Sequence, residues 1–224
     1  MLQDLKRKND QNRRRTVIVT GGELGLWALE EIRPGDYVIG ADSGADYLVE
    51  HGFVPDLALG DFDSVPPSRL SRIREVSREW ISVDAVNKDW TDTEMAVREA
   101  LNRGYGSIRI VGGLGTRFDH ALANVHLLRL ALVSGCEAVI VDSHNEIRLC
   151  NDSCRLQTDS RYRYVSLLPL TSVVRGVTLD GFQYPLRQAT LELGHSIGIS
   201  NVLTAPEGTV TITDGELLII RSCD

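Results

Sequence analysis

The sequence predicts an α/β domain, a parallel sheet with helices on both faces, followed by a small antiparallel β-sandwich domain. Three observations carry that expectation. Short β-branched runs alternate with helix-like segments as far as about Asn145, the pattern of repeated β–α units. Beyond Asn145, short strand candidates recur between turn signals with no convincing helix. Acidic clusters also follow the apolar runs of the first region, where loops at the carboxyl ends of parallel strands converge on one crevice.

Thr16 to Thr20 reads as a strand ending in Gly21-Gly22, and Gly25 to Ile32 as a short helix closed by Pro34-Gly35. Tyr37 to Ile39 is strand-like, Ala45 to Glu50 is helical with Gly52 as its stop, and Leu57 to Leu59 is strand-like. Pro67 to Val76 makes a helix with proline in its first turn. Trp80 to Val83 is strand-like; Thr91 to Asn102 is rich in helix formers, with Gly104 as its stop. Ser107 to Val111 is a strand, Asp119 to Ser134 a long apolar helix closed by Gly135, and Ala138 to Val141 another strand. In the second region the strand candidates include Tyr164 to Leu168, Val173 to Leu179, Thr190 to Leu193, Thr209 to Ile212 and Glu216 to Ile220. The expected division is a basic polar leader at residues 1–15, an α/β domain at 16–145 and an all-β domain at 146–224. The last is close to the smallest size that folds without staples.

With 224 residues, 42% hydrophobic and 25% charged, the composition is that of an ordinary globular protein. Lys plus Arg number 24 and Asp plus Glu 31, a net charge of −7 that argues against a general nucleic-acid binder. No apolar run approaches the ~20 residues a membrane span needs, and the polar leader lacks the apolar stretch of a secretory signal. Cys136, Cys150, Cys154 and Cys223 lack zinc-site spacing and read as reduced thiols of a cytoplasmic protein.

Eight of the 31 acidic residues stand in four clusters: Asp42 and Asp46; Asp61 and Asp63; Asp89, Asp92 and Glu94; and Asp119 beside His120. Carboxylates gathered in one crevice repel and take up protons unless cations hold them. Oxygen ligands with little else point to a hard cation, Mg²⁺ first, with phosphate oxygens completing its shell. Asp61 and Asp63 flank Phe62, and in an extended segment both would point the same way; a capping Asp plus a turn fits Gly60 and Ser64 equally well. Thr91 followed by Glu94 matches a capping box, so the third cluster has a structural reading beside its chemical one. Gly112-Gly113-Leu114-Gly115 lies between a strand and a helix, where a backbone approaches phosphate oxygens closely. Arg117 adds a fork that grips such oxygens, against the plainer reading of an ion pair with Asp119.

Taken in order, Ala41 to Asp46, Gly60 to Ser64, Lys88 to Glu94, Gly112 to His120 and Ser196 to Asn201 resemble the motifs of the thiamine pyrophosphokinase family. The resemblance runs from about Thr16 to Ser222. It implies transfer of the pyrophosphoryl group of MgATP to the hydroxyl of thiamine, giving thiamine diphosphate and AMP. It also implies a homodimer whose active sites lie between the α/β domain of one subunit and the β domain of the other. On the matching positions, Asp42, Asp61, Asp63 and Asp92 would hold Mg²⁺ or its waters. Ser43, Gly44, Ser64, Thr91, Asp119 and the turn of Gly112, Gly113 and Arg117 would arrange the ATP side. Ser196, Ser200 and Asn201 would line the thiamine site. Asp92 or Asp89 would accept the hydroxyl proton, and Arg117 would stabilise charge in transfer. Two departures stand out: the final strand offers Leu217 to Ile220 where some members lay an aromatic on thiamine, and Thr116 stands where many have glycine. Pyrophosphoryl transfer to another acceptor, such as a hydroxymethylpterin, and a nucleotide-binding regulator without catalysis are the competing readings.

Overall fold

The structure, a computed structural model, describes residues 15–84 and 89–224. Lys88 and all but the last residue of the expected leader lie outside the described residues. The chain separates into two compact units, one ending at Ser143 and the other spanning His144–Asp224.

The first unit holds six strands: β1 (Arg15–Val19), β2 (Tyr37–Ala41), β3 (Leu57–Gly60), β4 (Glu79–Ser82), β5 (Ser107–Val111) and β6 (Glu137–Val141). They run parallel in the order β4-β3-β2-β1-β5-β6. The helices between them are α1 (Trp27–Glu30), α2 (Ser43–Glu50), α3 (Pro67–Val76), α4 (Asp92–Asn102) and α5 (Phe118–Val133). Val17, Val19, Val38 and Val111 pack with residues of α1 and α2. Strand alternation turns Ile18, Ile39 and Leu59 to the other face, where α4 lies against β1, β2 and β3. Both faces are therefore covered, as near-continuous apolar strands require. The helix expected over Gly25 to Ile32 shortens to α1, four residues. The carbonyls of Gly25 and Leu26 accept from Ala28 and Leu29 three residues on, so this segment starts as a tight turn.

The second unit is antiparallel. β13 (Leu217–Ser222) lies between β7 (Asn145–Cys150) and β9 (Tyr164–Pro169). A four-stranded sheet follows the order β11 (Ala189–Glu192), β10 (Val173–Asp180), β12 (Glu207–Thr211), β8 (Ser153–Gln157). Val165, Leu167, Leu217 and Ile219 of one sheet share a core with Leu156, Val174, Val177, Leu179 and Val210 of the other, which makes the unit a sandwich. β7 and β8 were not among the strand candidates because polar residues interrupt their alternation. Glu146 of β7 is buried, and Arg148 and Arg221 meet it, Arg221 at 3.3 Å. A carboxylate buried there without such partners would be strongly destabilising.

Candidate active site

The loops that leave β1 and β5 are laced together. The N–H of Thr20 donates to Val111 O, that of Gly22 to Gly112 O and that of Glu23 to Leu114 O, all at 2.8–2.9 Å. A Cβ on Gly22 would sit 2.2 Å from Gly112 O, so only glycine permits this approach. Beneath the turn, the buried Asn124 amide of α5 donates to Gly113 O at 2.7 Å. The two loops line a cleft of about 630 Å³ at the carboxyl ends of the parallel strands.

Three helices begin at this cleft. Asp42 and Ser43 line it from the start of α2, Thr91, Asp92 and Thr93 from α4, and Arg117, His120 and Ala121 from α5. Free N–H groups and the positive dipole end of each first turn thus surround one space, an arrangement suited to anions. Thr91 caps α4 by accepting from Glu94 N at 3.2 Å, as its capping-box spacing predicts. Gly44 is a packing requirement: a Cβ there would meet Val19 O at 2.0 Å, so the glycine lets α2 start directly on the end of β1.

Carboxylates cluster at the mouth of β2 and β3. Oxygens of Asp42, Asp61 and Asp63 all lie within 4.8 Å of one another. Asp42 holds φ 50°, ψ −123°, a left-handed backbone that costs roughly 1–3 kcal/mol in a non-glycine residue. The Ser64 hydroxyl donates to its Oδ2, while its Oδ1 is buried without a hydrogen-bond partner among the described residues. Of the two readings of the segment around Phe62, extended or turned, the structure takes the turn. Phe62 has φ 58°, is buried and stacks on Trp80 with ring centroids 4.1 Å apart. The chain turns over this ring, and the Asp63 N–H donates to Asp61 Oδ1 at 3.1 Å. The two carboxylates converge through a turn anchored by an aromatic. Asp92 approaches from the other side of Gly60: a Cβ on Gly60 would lie 3.2 Å from Asp92 Oδ1 and 3.2 Å from the Asp42 nitrogen.

The other acidic positions divide. Asp46 pairs with Arg69 at 3.0 Å, and burial pushes its carboxyl above the usual range. Asp89 is exposed and is not among the residues lining the cleft. Arg117 grips Asp119 with two nitrogens, Nη2 at 2.6 Å and Nε at 3.2 Å, both side chains exposed. That hydrogen bond holds the Asp119 carboxyl below its ordinary value. The plainer reading of Arg117 is therefore realised in this conformation, and the same residue also lines the cleft.

In the β unit, Ser196 and Ser200 are exposed and Asn201 is buried. The Asn201 amide accepts from Tyr184 N at 3.0 Å and from Val202 N at 2.9 Å, and donates to Tyr184 O at 2.8 Å. Ser200 has φ 58°, and its N–H donates to Ser166 Oγ at 3.0 Å. Around this segment Ile197, Ile199, Leu193 and Tyr184 are exposed.

Sequence reasoning passed over Thr20, Thr93 and Asn124. Thr20 Oγ1 and Thr93 Oγ1 lie 2.8 Å apart, both residues buried, joining the end of β1 to the first turn of α4. Asn124 had a signal: it is an amide in an otherwise apolar stretch of helix. Thr20 and Thr93 had none, since a threonine at a strand end or helix start is ordinary.

Two family models match the chain: thiamin pyrophosphokinase, catalytic domain, over residues 30–140, and thiamin pyrophosphokinase, vitamin B1 binding domain, over residues 153–217. The thiamine pyrophosphokinase of Bacillus subtilis (strain 168) is 34% identical over 187 residues, 83% of this chain and 87% of that protein. A crystal structure of the Bacillus subtilis thiamine pyrophosphokinase superposes with a TM-score of 0.87 at 31% identity, covering 94% of this chain and 100% of the other. That of the thiamin pyrophosphokinase from Geobacillus thermodenitrificans gives 0.83 at 33% identity, covering 94% and 98%.

Proposed function

The chain belongs to the thiamine pyrophosphokinase family, and from that premise we propose how its residues divide the reaction. Its activity is that of a thiamine pyrophosphokinase, an enzyme that uses ATP and thiamine. The observation that carries the site assignment is the convergence of three helix starts and a carboxylate cluster on one cleft. A polyphosphate needs both: N–H donors for its oxygens and a cation between it and the acids.

Mg²⁺ fits the donors present. Asp42, Asp61 and Asp63 offer oxygen only, and the buried Asp42 Oδ1 lacks a hydrogen-bond partner among the described residues. These three would hold the ion, with Asp92 beside them. When bound, it would neutralise charge on the phosphate oxygens. The laced glycine loops fix the shape of the cleft floor before substrate arrives, so little reorganisation accompanies transfer. Arg117 exchanges its Asp119 partner for phosphate oxygens when nucleotide enters. The thiamine hydroxyl attacks the β-phosphorus, AMP leaves, and the hydroxyl proton passes to a carboxylate. Asp92 is favoured for that role over Asp89 because it lines the cleft.

The exposed Ile197, Ile199, Leu193 and Tyr184 support a second subunit and a thiamine contact on the β unit. We read the protein as a homodimer with sites shared between subunits. An inactive Asp92→Asn subunit and an Asn201→Ala subunit, assayed at thiamine well below its raised KM, should together give more activity than either alone; no gain after confirmed exchange sinks the shared site. No helix among the described residues is long and apolar enough to cross a membrane; we propose a cytoplasmic setting from the four cysteines, none of which is in a disulfide. The direct test is incubation with MgATP and thiamine. AMP and thiamine diphosphate should form in equal amounts and cease with a chelator. Orthophosphate release without AMP would refute the transfer.

A further inference from the structure

Thr20 and Thr93 hold two hydroxyl protons between them. Their oxygens are 2.8 Å apart, so one proton lies in the bond that joins them. The remaining proton is offered no protein acceptor among the described residues, although both residues are buried, each 6% exposed. A buried hydroxyl proton left unmatched costs stability unless something meets it. Both residues line the cleft, one at the end of β1 beside the Gly21-Gly22 loop and one immediately after Asp92. They sit where three helix N-termini converge, a space built for acceptors carrying negative charge.

We propose that the Thr20–Thr93 pair is a phosphate-contacting donor: one hydroxyl orients the other, whose proton goes to an oxygen of the bound nucleotide. The proposal rests on the reading of this cleft as the ATP site. It adds to the backbone N–H groups a side-chain donor that neither the acidic clusters nor the glycine turn announces. No bond forms or breaks at the threonines, and the proton stays on its oxygen throughout.

Valine is nearly isosteric with threonine, and the arithmetic of hydroxyls separates this role from a structural one. In Thr20→Val or Thr93→Val one hydroxyl stays buried without its partner, whereas the double variant buries none. Stability should follow the order wild type close to double, both above either single. MgATP affinity, measured by calorimetry on the full-length protein, should follow a different order: wild type, then singles, then double. The double variant should bind about 10- to 100-fold more weakly, the scale of a hydrogen bond to a charged group. Thr20→Ser/Thr93→Ser should bind as wild type. If the double valine variant matches wild-type affinity while Arg117→Ala weakens it, the pair is only a fastener and the proposal fails. If neither weakens binding, the cleft is not the ATP site and both readings fall. Should the double variant not fold, Thr93→Ser against Thr93→Val supplies the comparison, and equal affinity there overturns the proposal.

Discussion

In the α/β unit, Asp42, Asp61 and Asp63 bring oxygens within 4.8 Å of one another, and Asp42 Oδ1 is buried with no hydrogen-bond partner among the described residues. In the β unit, the buried Asn201 commits both ends of its amide to the backbone of Tyr184. Both sets lie in motifs of the same family, yet one holds a buried oxygen without a hydrogen-bond partner among the described residues, while both polar atoms of the Asn201 amide are bonded. Buried polar groups are ordinarily satisfied. A buried polar atom with no partner marks the place of something that binds, and an amide with both atoms bonded to backbone marks a frame. On the β side, we propose that contact with a ligand falls to the exposed neighbours, Ser196, Ser200, Ile197, Ile199 and Tyr184.

The largest effect should come from the unsaturated side. Asp63→Asn removes a charge from the cluster but no core contact, Asp63 being exposed. Turnover at limiting Mg²⁺ should fall roughly 1,000-fold, the upper range for a removed electrostatic stabiliser. The thermal midpoint should hold. Retained turnover would break the contrast by showing that the cluster is not used. Next comes Arg117→Lys, which keeps charge but not the fork that holds Asp119. A loss of turnover on the order of 100-fold, with the KM for thiamine little changed, is expected. If Arg117 served only its pair with Asp119, melting would shift and turnover would not.

The saturated side should answer differently. Asn201→Ala leaves Tyr184 N–H and C=O without partners, at a cost of about 1–2 kcal/mol in unfolding free energy. Thiamine KM should rise through displacement of the Tyr184 segment while ATP affinity stays level. A thiamine defect with unchanged stability would instead make Asn201 a direct contact and blur the distinction.

How much of this was open to reading follows from which forces set it. Pro67 to Val76 and Ser107 to Val111 are found with the limits expected, because a proline start and a β-branched run are local signals. The cluster of Asp42, Asp61 and Asp63 was legible because parallel topology forces strand-end loops together. The turn at Phe62 was one of two readings that Gly60 and Ser64 allowed, but its left-handed backbone and the stacking of its ring on Trp80 were not legible, since sequence spacing does not express either. Thr20 and Thr93 stand 73 positions apart and meet only once the sheet is assembled. β7 was hidden by Glu146, whose partner Arg221 comes from the far end of the chain.

The smallest expected effect treats the two units alike. Burial pushes the thiols of Cys136, in the α/β unit, and Cys150, in the β unit, up to about 11. Unfolded thiols ionise near 8.5. The folded chain therefore keeps protons that the unfolded chain releases, and this stability, full below pH ~8.5, is lost as pH rises toward 11. Urea midpoints should decline gently over that window. At pH 8.5 alkylation of both thiols should be slow in the native protein and fast in urea. Rapid native labelling of Cys150 alone would show that the β unit opens independently.

The ring that props up the Asp61–Asp63 turn is itself stacked on an indole, Phe62 on Trp80 at 13° between planes. The protein thereby carries its own optical gauge. Of its three tryptophans, Trp27→Phe and Trp90→Phe would leave Trp80 as the sole indole, excited selectively at the red edge where tyrosine does not absorb. Any tightening of the carboxylate turn by a cation then reaches the emission spectrum through one intervening ring. Metal titration followed by fluorescence, in the absence of nucleotide and thiamine, would separate occupancy of the acidic turn from every later event of the reaction.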